Sequence, residues 1–196
     1  MALTKLNNKA VANVTSLPVA LGDMVLVSSA TASSSASIEF TLGNYKEYQF
    51  YFVNIKPQTD SVAFQMNFST DNGSNYNVVK TTTLFRSSHD EADTFTQFGY
   101  NTNEDLAQST SYQNLVYGIG NGSDECIGGI FQLYNPSSNT YVKHFLSNCS
   151  NYFASNGNNQ MLVAGYANSV SPLTNIRFQM ASGNIDAGTI LMYGIN

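Results

Sequence analysis

The sequence predicts an all-β chain, an antiparallel β-sandwich or jelly-roll-like domain preceded by an extended N-terminal arm. Three observations predict it. Charged residues make up only 11% of the 196 residues, against the ~25% usual in globular proteins. Asn, Ser and Thr take their place, and these side chains bond to nearby backbone and favour turns and strand edges over helix interiors. The aromatic share is 12%, all Tyr and Phe with no Trp, and such rings suit a pleated, half-buried surface. Finally, from Ile38 onward apolar and polar residues alternate with a period of two, the spacing of a strand with one buried face.

The N-terminal segment reads differently. Leu3, Leu6, Val11, Val14 and Leu17 recur every three to five residues, near helical spacing, until Pro18 and Gly22 interrupt the pattern. Two readings follow: an irregular arm ordered only by contact, or a docking peptide that buries these five aliphatics on a partner. Lys5 and Lys9 precede an apolar stretch, Val11–Val27, but Pro18, Gly22 and Asp23 break it, so a cleaved leader is not expected. Residues 28–37 (SSATASSSAS) have the composition of a flexible linker. The expected division is therefore an arm and linker over 1–36 and a sandwich over 37–196.

The strands come in sequence. Ile38, Phe40 and Leu42 alternate with polar residues. Tyr48, Phe50 and Phe52 interleave with Gln49, Tyr51 and Val53, which gives two apolar faces and a central strand that Pro57 ends. Val62, Phe64, Met66 and Phe68 form the next, and Asp71-Asn72-Gly73-Ser74 turns the chain. Tyr76, Val78 and the run Thr81–Phe85 follow. Residues 86–111 are polar, hold Asp90, Glu91, Asp93, Glu104 and Asp105, and read as a long loop with a short strand at Phe95–Tyr100. Leu115–Ile119, Ile127–Tyr134, Tyr141–Leu146, Met161–Tyr166, Ile176–Met180 and Ile190–Tyr193 complete the set, separated by Asn121-Gly122, Pro136–Asn139, Asn156–Asn159 and Ser182–Gly188. About nine or ten strands at regular spacing suit a sandwich or jelly roll.

Chemistry is sparse. The net charge is −5, and no basic face exists to neutralise phosphates, so nucleic acid is not an expected partner. The Lys and Arg residues are scattered and no apolar run reaches membrane-spanning length, so no membrane partner is expected either. His89 beside Asp90, Glu91 and Asp93 has metal-binding residue types, but neighbours on an extended chain point to opposite sides, which favours a solvated loop. The Asp71 turn lacks the distal Glu of a calcium loop. His144 stands in a strand with no nucleophile elbow nearby. Gly118–Gly122 lacks the Lys-Ser/Thr of a phosphate loop. No zinc spacing is present. A glycan-cleaving enzyme would have Asp90, Glu91, Glu104 and Asp105 as its local carboxylates. No cofactor, no metal and no enzymatic activity are expected. Cys126 and Cys149 read either as a disulfide or as two free thiols. The twelve tyrosines offer rigid apolar area with a polar tip, suited to sugars or protein partners as well as to sheet packing.

Two stretches carry a resemblance. The opening MALTKLNN resembles the start of short tail-fibre and tail-associated proteins of tailed bacteriophages. The closing segment, with Ile176 and Phe178, Ser182-Gly183-Asn184-Ile185, Gly188-Thr189-Ile190 and Tyr193-Gly194-Ile195, resembles a C-terminal strand pair of phage virion structural proteins. Phe68–Tyr76 (FSTDNGSNY) resembles a turn of the same group, with Asn72 where Gly is usual. The resemblance covers about a quarter of the chain and implies a structural protein of the virion exterior: a tail fibre, appendage or capsid decoration. It implies a homo-oligomer, expected as a trimer, assembled in the cytoplasm of the bacterial host and held by its arm to other virion proteins of capsid or tail. The alternative expectation is a host-recognition module that binds surface polysaccharide, for instance through residues 86–111.

Overall fold

A computed structural model describes residues 24–196. The expected docking residues Leu3, Leu6, Val11, Val14 and Leu17 lie outside the described residues. Among the latter, all regular structure is β, in twelve strands: β1 (Val25–Thr31), β2 (Ile38–Thr41), β3 (Glu47–Pro57), β4 (Val62–Ser69), β5 (Lys80–Asp90), β6 (Thr96–Tyr100), β7 (Gln113–Ile119), β8 (Ile127–Tyr134), β9 (Lys143–Phe153), β10 (Gly157–Ala167), β11 (Asn175–Met180) and β12 (Ile185–Ile195).

Every pairing is antiparallel. One layer runs β1-β12-β3-β8-β9-β10-β5-β6, and the other runs β7-β4-β11-β2. A single pair, Ile119↔Phe153, joins the layers at one corner. In the smaller layer β11 separates β2 from β4, so early and late parts of the chain share a sheet, as the long returns of Greek-key and jelly-roll folds require.

The core lies between the layers. Its centre is Phe178 of β11, which meets Phe52 at 5.2 Å, Phe50 at 5.4 Å, Phe64 at 5.8 Å and Phe131 at 6.0 Å. Phe50 and Phe52 stand on β3 and Phe131 on β8, so this ring is clamped by the opposite sheet. Phe68 of β4 repeats the contact with Phe131 and Phe145. Each fully buried Phe contributes roughly 1.5–3 kcal/mol of apolar transfer free energy. The period-two sequence pattern is the source: β9 and β10 alternate buried and exposed residue by residue.

Two boundaries differ from the sequence expectation. The sheet begins at Val25, inside the segment read as arm and linker, and Ser35 bridges Ile185. The serine-rich stretch is tied to β12 through Ala32, Ser34 and Ser35 backbone bonds; long-range backbone pairing, invisible to composition, orders it. The expected long loop 86–111 is shorter too. β5 continues to Asp90, and β6 pairs with it from His89↔Thr96 to Phe85↔Tyr100. The remainder is pinned from below, because Thr82 and Gln113 share a hydrogen bond while the Gln113 amide donates to the Glu104 carbonyl at 2.9 Å and the Leu106 N–H donates to Thr82 Oγ1 at 2.8 Å.

Candidate binding surfaces

The outward face of the larger sheet spans eight strands among the described residues. Register fixes its composition. Across the sheet, Tyr100, Phe85, Leu162, Asn148, Ile130, Tyr51 and Leu191 form one row, each opposite the next. The neighbouring row on the same face holds Thr83, Ala164, Leu146, Gln132, Gln49 and Tyr193. Neither row contains a charged residue. Phe85, Leu146 and Leu162 are 41%, 44% and 43% exposed, and Phe98 on edge strand β6 is 80% exposed. Contiguous exposed apolar surface of this kind marks interaction sites. Aromatic pairs stiffen it: Phe85 with Tyr100 at 5.2 Å and Tyr51 with Tyr193 at 5.6 Å.

At one end of the same face lies a depression of about 750 Å³. Its position follows from strand ends: His89, Asn158 and Tyr152 stand in one row and Ser150 faces Gly128 in the next. Gly128 has open space above its Cα, so the floor there is backbone. The Tyr152 hydroxyl donates to Glu91 Oε1 at 2.9 Å, and Ser150 donates to Asn158 Oδ1 at 2.6 Å. That bond to Glu91 raises the Tyr152 pKa. Asn54 lines the opposite wall next to the half-buried Cys126 thiol. The depression thus presents the amides of Asn54 and Asn158, the Ser150 hydroxyl and the Tyr152 ring beside the His89 imidazole and the carboxylates of Asp90 and Glu91.

The polar clusters singled out by sequence resolve into local structure. Asp90 accepts the Thr94 and Phe95 N–H groups at 2.9 and 2.8 Å as well as the Thr94 hydroxyl; the Thr94 hydroxyl bond leads in lowering its pKa. Its carboxylate closes the turn before β6. His89 pairs with Asp93 at 3.0 Å, four residues on. Among the described residues no three His, Cys, Asp or Glu side chains converge on one point. The four carboxylates considered for glycan cleavage go to separate partners: Asp90 to its turn, Glu91 to Tyr152, Glu104 to Asn114 and Asp105 to Tyr100. Asp71 accepts from Ser69 and from the Asn75 backbone and side chain, and these bonds draw its pKa down to about 2; the turn uses the whole carboxylate. The His144 ring lies 6.0 Å from that of Tyr166 on the outer face. Gly118, at φ 68°, is within β7. Cys126 and Cys149 are free, one half-buried and one buried. Burial pushes the Cys149 thiol up to about 12.

Two features escaped the sequence reading. Lys80 and Lys143 are buried. Lys80 Nζ donates to Asn67 Oδ1 at 2.6 Å and to the Val78 carbonyl at 2.8 Å, and Lys143 Nζ donates to the Ser169 and Ser171 carbonyls at 2.9 and 2.7 Å. Both lysines start strands, so each ammonium tethers an adjoining loop to a strand end. On the outside of the smaller sheet, Arg177 stacks 3.8 Å from the Tyr76 ring centroid and pairs with Glu39 at 2.7 Å, while Tyr76 donates to the same carboxylate at 2.9 Å. Each of these groups is satisfied within the fold, so they fasten the 70–79 loop over that sheet.

Compared with family models, curated proteins and solved structures, the chain finds no match.

Proposed function

We propose that this chain is a structural protein of a bacteriophage virion exterior, a tail-fibre, appendage or capsid-decoration unit that works as a homo-oligomer through the outward face of its larger sheet. The observation that carries the reading is the pair of uncharged rows on that face, in which Phe85, Leu146 and Leu162 stay exposed although the interior is fully packed. An uncharged face on which large apolar and aromatic side chains cluster among amides and hydroxyls is the kind of surface that subunit contacts bury. The resemblance of Ile176–Ile195 and of the opening residues to phage virion proteins supports the setting. In it, aliphatics of the arm, Leu3, Leu6, Val11, Val14 and Leu17, bind a neighbouring capsid or tail protein, and repetition of copies adds avidity.

The test is direct. Light scattering of the purified chain should give a multiple of the 21.3 kDa chain mass, and Leu146→Lys with Leu162→Lys should give a folded monomer. A monomeric wild-type chain at high concentration overturns the oligomer reading. Particles from which this protein cannot be recovered overturn the virion reading.

A second reading has its own observation. The depression beside Tyr152, Ser150, Asn158 and Asn54 offers amides, a hydroxyl and the Glu91 carboxylate around a ring, groups that bond the hydroxyls of a saccharide of the host surface. Binding of host polysaccharide by the oligomer, weakened by Tyr152→Ala, supports it; no binding by the oligomer removes it.

A further inference from the structure

β5 turns Leu84, Arg86 and Ser88 inward and Phe85, Ser87 and His89 outward. An arginine at an inward strand position needs acceptors, because an unpaired charge is costly to bury. The chain has two arginines, Arg86 and Arg177, and the second shows how one is satisfied in this fold. Arg177 lies over the Tyr76 ring at 3.8 Å. Its Nε donates to Glu39 Oε1 at 2.8 Å, and its Nη2 pairs with the same oxygen at 2.7 Å. A ring takes the flat face of the guanidinium, and a carboxylate takes its edge.

Arg86 has the ring and lacks the acid. Its guanidinium carbon is 5.3 Å from the Tyr117 ring centroid. That attraction engages the face of the group and leaves its in-plane N–H donors to be met otherwise. Nε is buried with no hydrogen-bond partner. Among the described residues no carboxylate pairs with Arg86. The one carboxylate that precedes them in the sequence, Asp23, is bonded to Met24 beside β1, and five strands, β12, β3, β8, β9 and β10, separate β1 from β5 in the larger sheet.

Arg86 lines a cavity of about 200 Å³ between the two layers, beside the corner where Ile119 pairs with Phe153. Ser88 and Asn159 form its inner wall and are 7% and 5% exposed. Ser88 donates to Asn159 Oδ1 at 2.6 Å, which fixes Nδ2 as the amide's remaining donor. Ser61 and Ser155 add hydroxyls, and among the described residues no acidic side chain lines the cavity. In a chain of net charge −5, a walled cation among donors selects an anion. The volume is below the ~300–1,000 Å³ of drug-sized pockets, so it suits one small acid. We propose that this cavity binds a small organic carboxylate, which takes at Arg86 the part that Glu39 plays at Arg177. The guanidinium meets it through Nη1 and Nη2, a fork that matches a carboxylate, and Asn159 Nδ2 donates to it as well. The site lies on the inner side of the strands whose outer side carries His89 and Asn158, and it does not depend on the oligomer reading. A free acid and a sugar-acid residue of a polysaccharide carry the same group, and the two are separated by titration.

The full-length chain labelled with nitrogen-15 gives two arginine Nε–H signals, which Arg86→Lys assigns. At constant ionic strength, D-glucuronate or acetate should shift the Arg86 signal to saturation and leave that of Arg177 in place, whereas D-glucose should move neither. Equal affinity for the two acids supports a site for free small acids; glucuronate bound at least ~10-fold more tightly supports a sugar acid. By calorimetry, Arg86→Gln should weaken binding at least ~10-fold, the worth of a charge-assisted pair. No saturable shift with either acid, a shift that glucose or sodium chloride reproduces, or undiminished binding by Arg86→Gln overturns the proposal. Titration of the parent decides it even where the Arg86 variants fold poorly, since one signal of the two must move and the other stay.

Discussion

Lys80 is buried among uncharged acceptors, and that burial pulls its pKa from the ordinary 10.5 down to about 7. The sign follows from proton counting. Below about pH 7 both folded and unfolded chains hold the proton, and the cost of burying the ammonium is fully present. As pH rises from 7 toward 10.5 the folded chain gives up its proton first, the unfolded chain binds more protons, and the contribution of this group to stability increases. The Cys149 thiol acts oppositely: its pKa is raised from 9.0 to about 12, so the stability it contributes is present below pH 9 and lost as pH rises toward 12. Urea unfolding of wild type and Lys80→Met at several pH values separates the two; the substituted protein should show a smaller rise between pH 7 and 10.5, the remainder coming from Lys143, whose pKa burial also lowers, and keep the decline above pH 9. A second residue-scale expectation concerns Phe178, which meets rings from both sheets. Phe178→Ala should cost about 3–5 kcal/mol by urea unfolding, since the clamp around it cannot collapse. Phe178 was legible as a core residue, because it alternates with polar neighbours. The burial of Lys80 was not: its ammonium is satisfied by Asn67 and Val78, and loop-to-strand contacts of that kind leave no periodic trace.

At the scale of the element, alternation located strands and misjudged their lengths. β11 runs from Asn175 to Met180, as Ile176, Phe178 and Met180 implied. β9 extends to Phe153, past the last residue assigned from sequence, because Ser147, Cys149 and Asn151 are small or polar residues buried in strand positions. Their inward faces are set by packing against neighbouring strands, which local pattern does not report. β12 shows the reverse dependence. Gly188 sits at φ 108°, and a Cβ there would collide with the Asn54 carbonyl, where β12 and β3 lose regular register. Gly188→Val should cost more than about 1 kcal/mol in urea unfolding, through both backbone strain and contact. The two rows of the candidate interface also belong to this scale: Leu146 and Leu162 could be seen to alternate, but that they lie on one face with Tyr51 followed only from the order of strands.

For the whole molecule, the two layers interleave early and late parts of the chain, so most of the sheet cannot form until remote segments meet. Such topologies fold slowly, and refolding of this domain should take milliseconds to seconds by stopped-flow fluorescence of its tyrosines. The fold class was legible because charge, aromatic content and period two all point one way. The sheet order was not, since nothing local in β11 names β2 and β4 as its neighbours. The candidate surfaces share that fate, being assembled from five or more strands that only the completed sheet brings side by side.

The pairing of the first strand with the last has a mechanical consequence. β1 runs antiparallel to β12, with Val25 opposite Gly194 and Thr31 opposite Thr189. A tether on Val25 and a load on Ile195 therefore pull at the same end of this ribbon, and the ladder must open one rung at a time, like a zipper. A load applied at a far corner, such as the turn after Phe153, would instead spread across many rungs at once. A fibre or coat built from this unit would withstand tension best when its neighbours grip that distant corner and leave the carboxyl end slack.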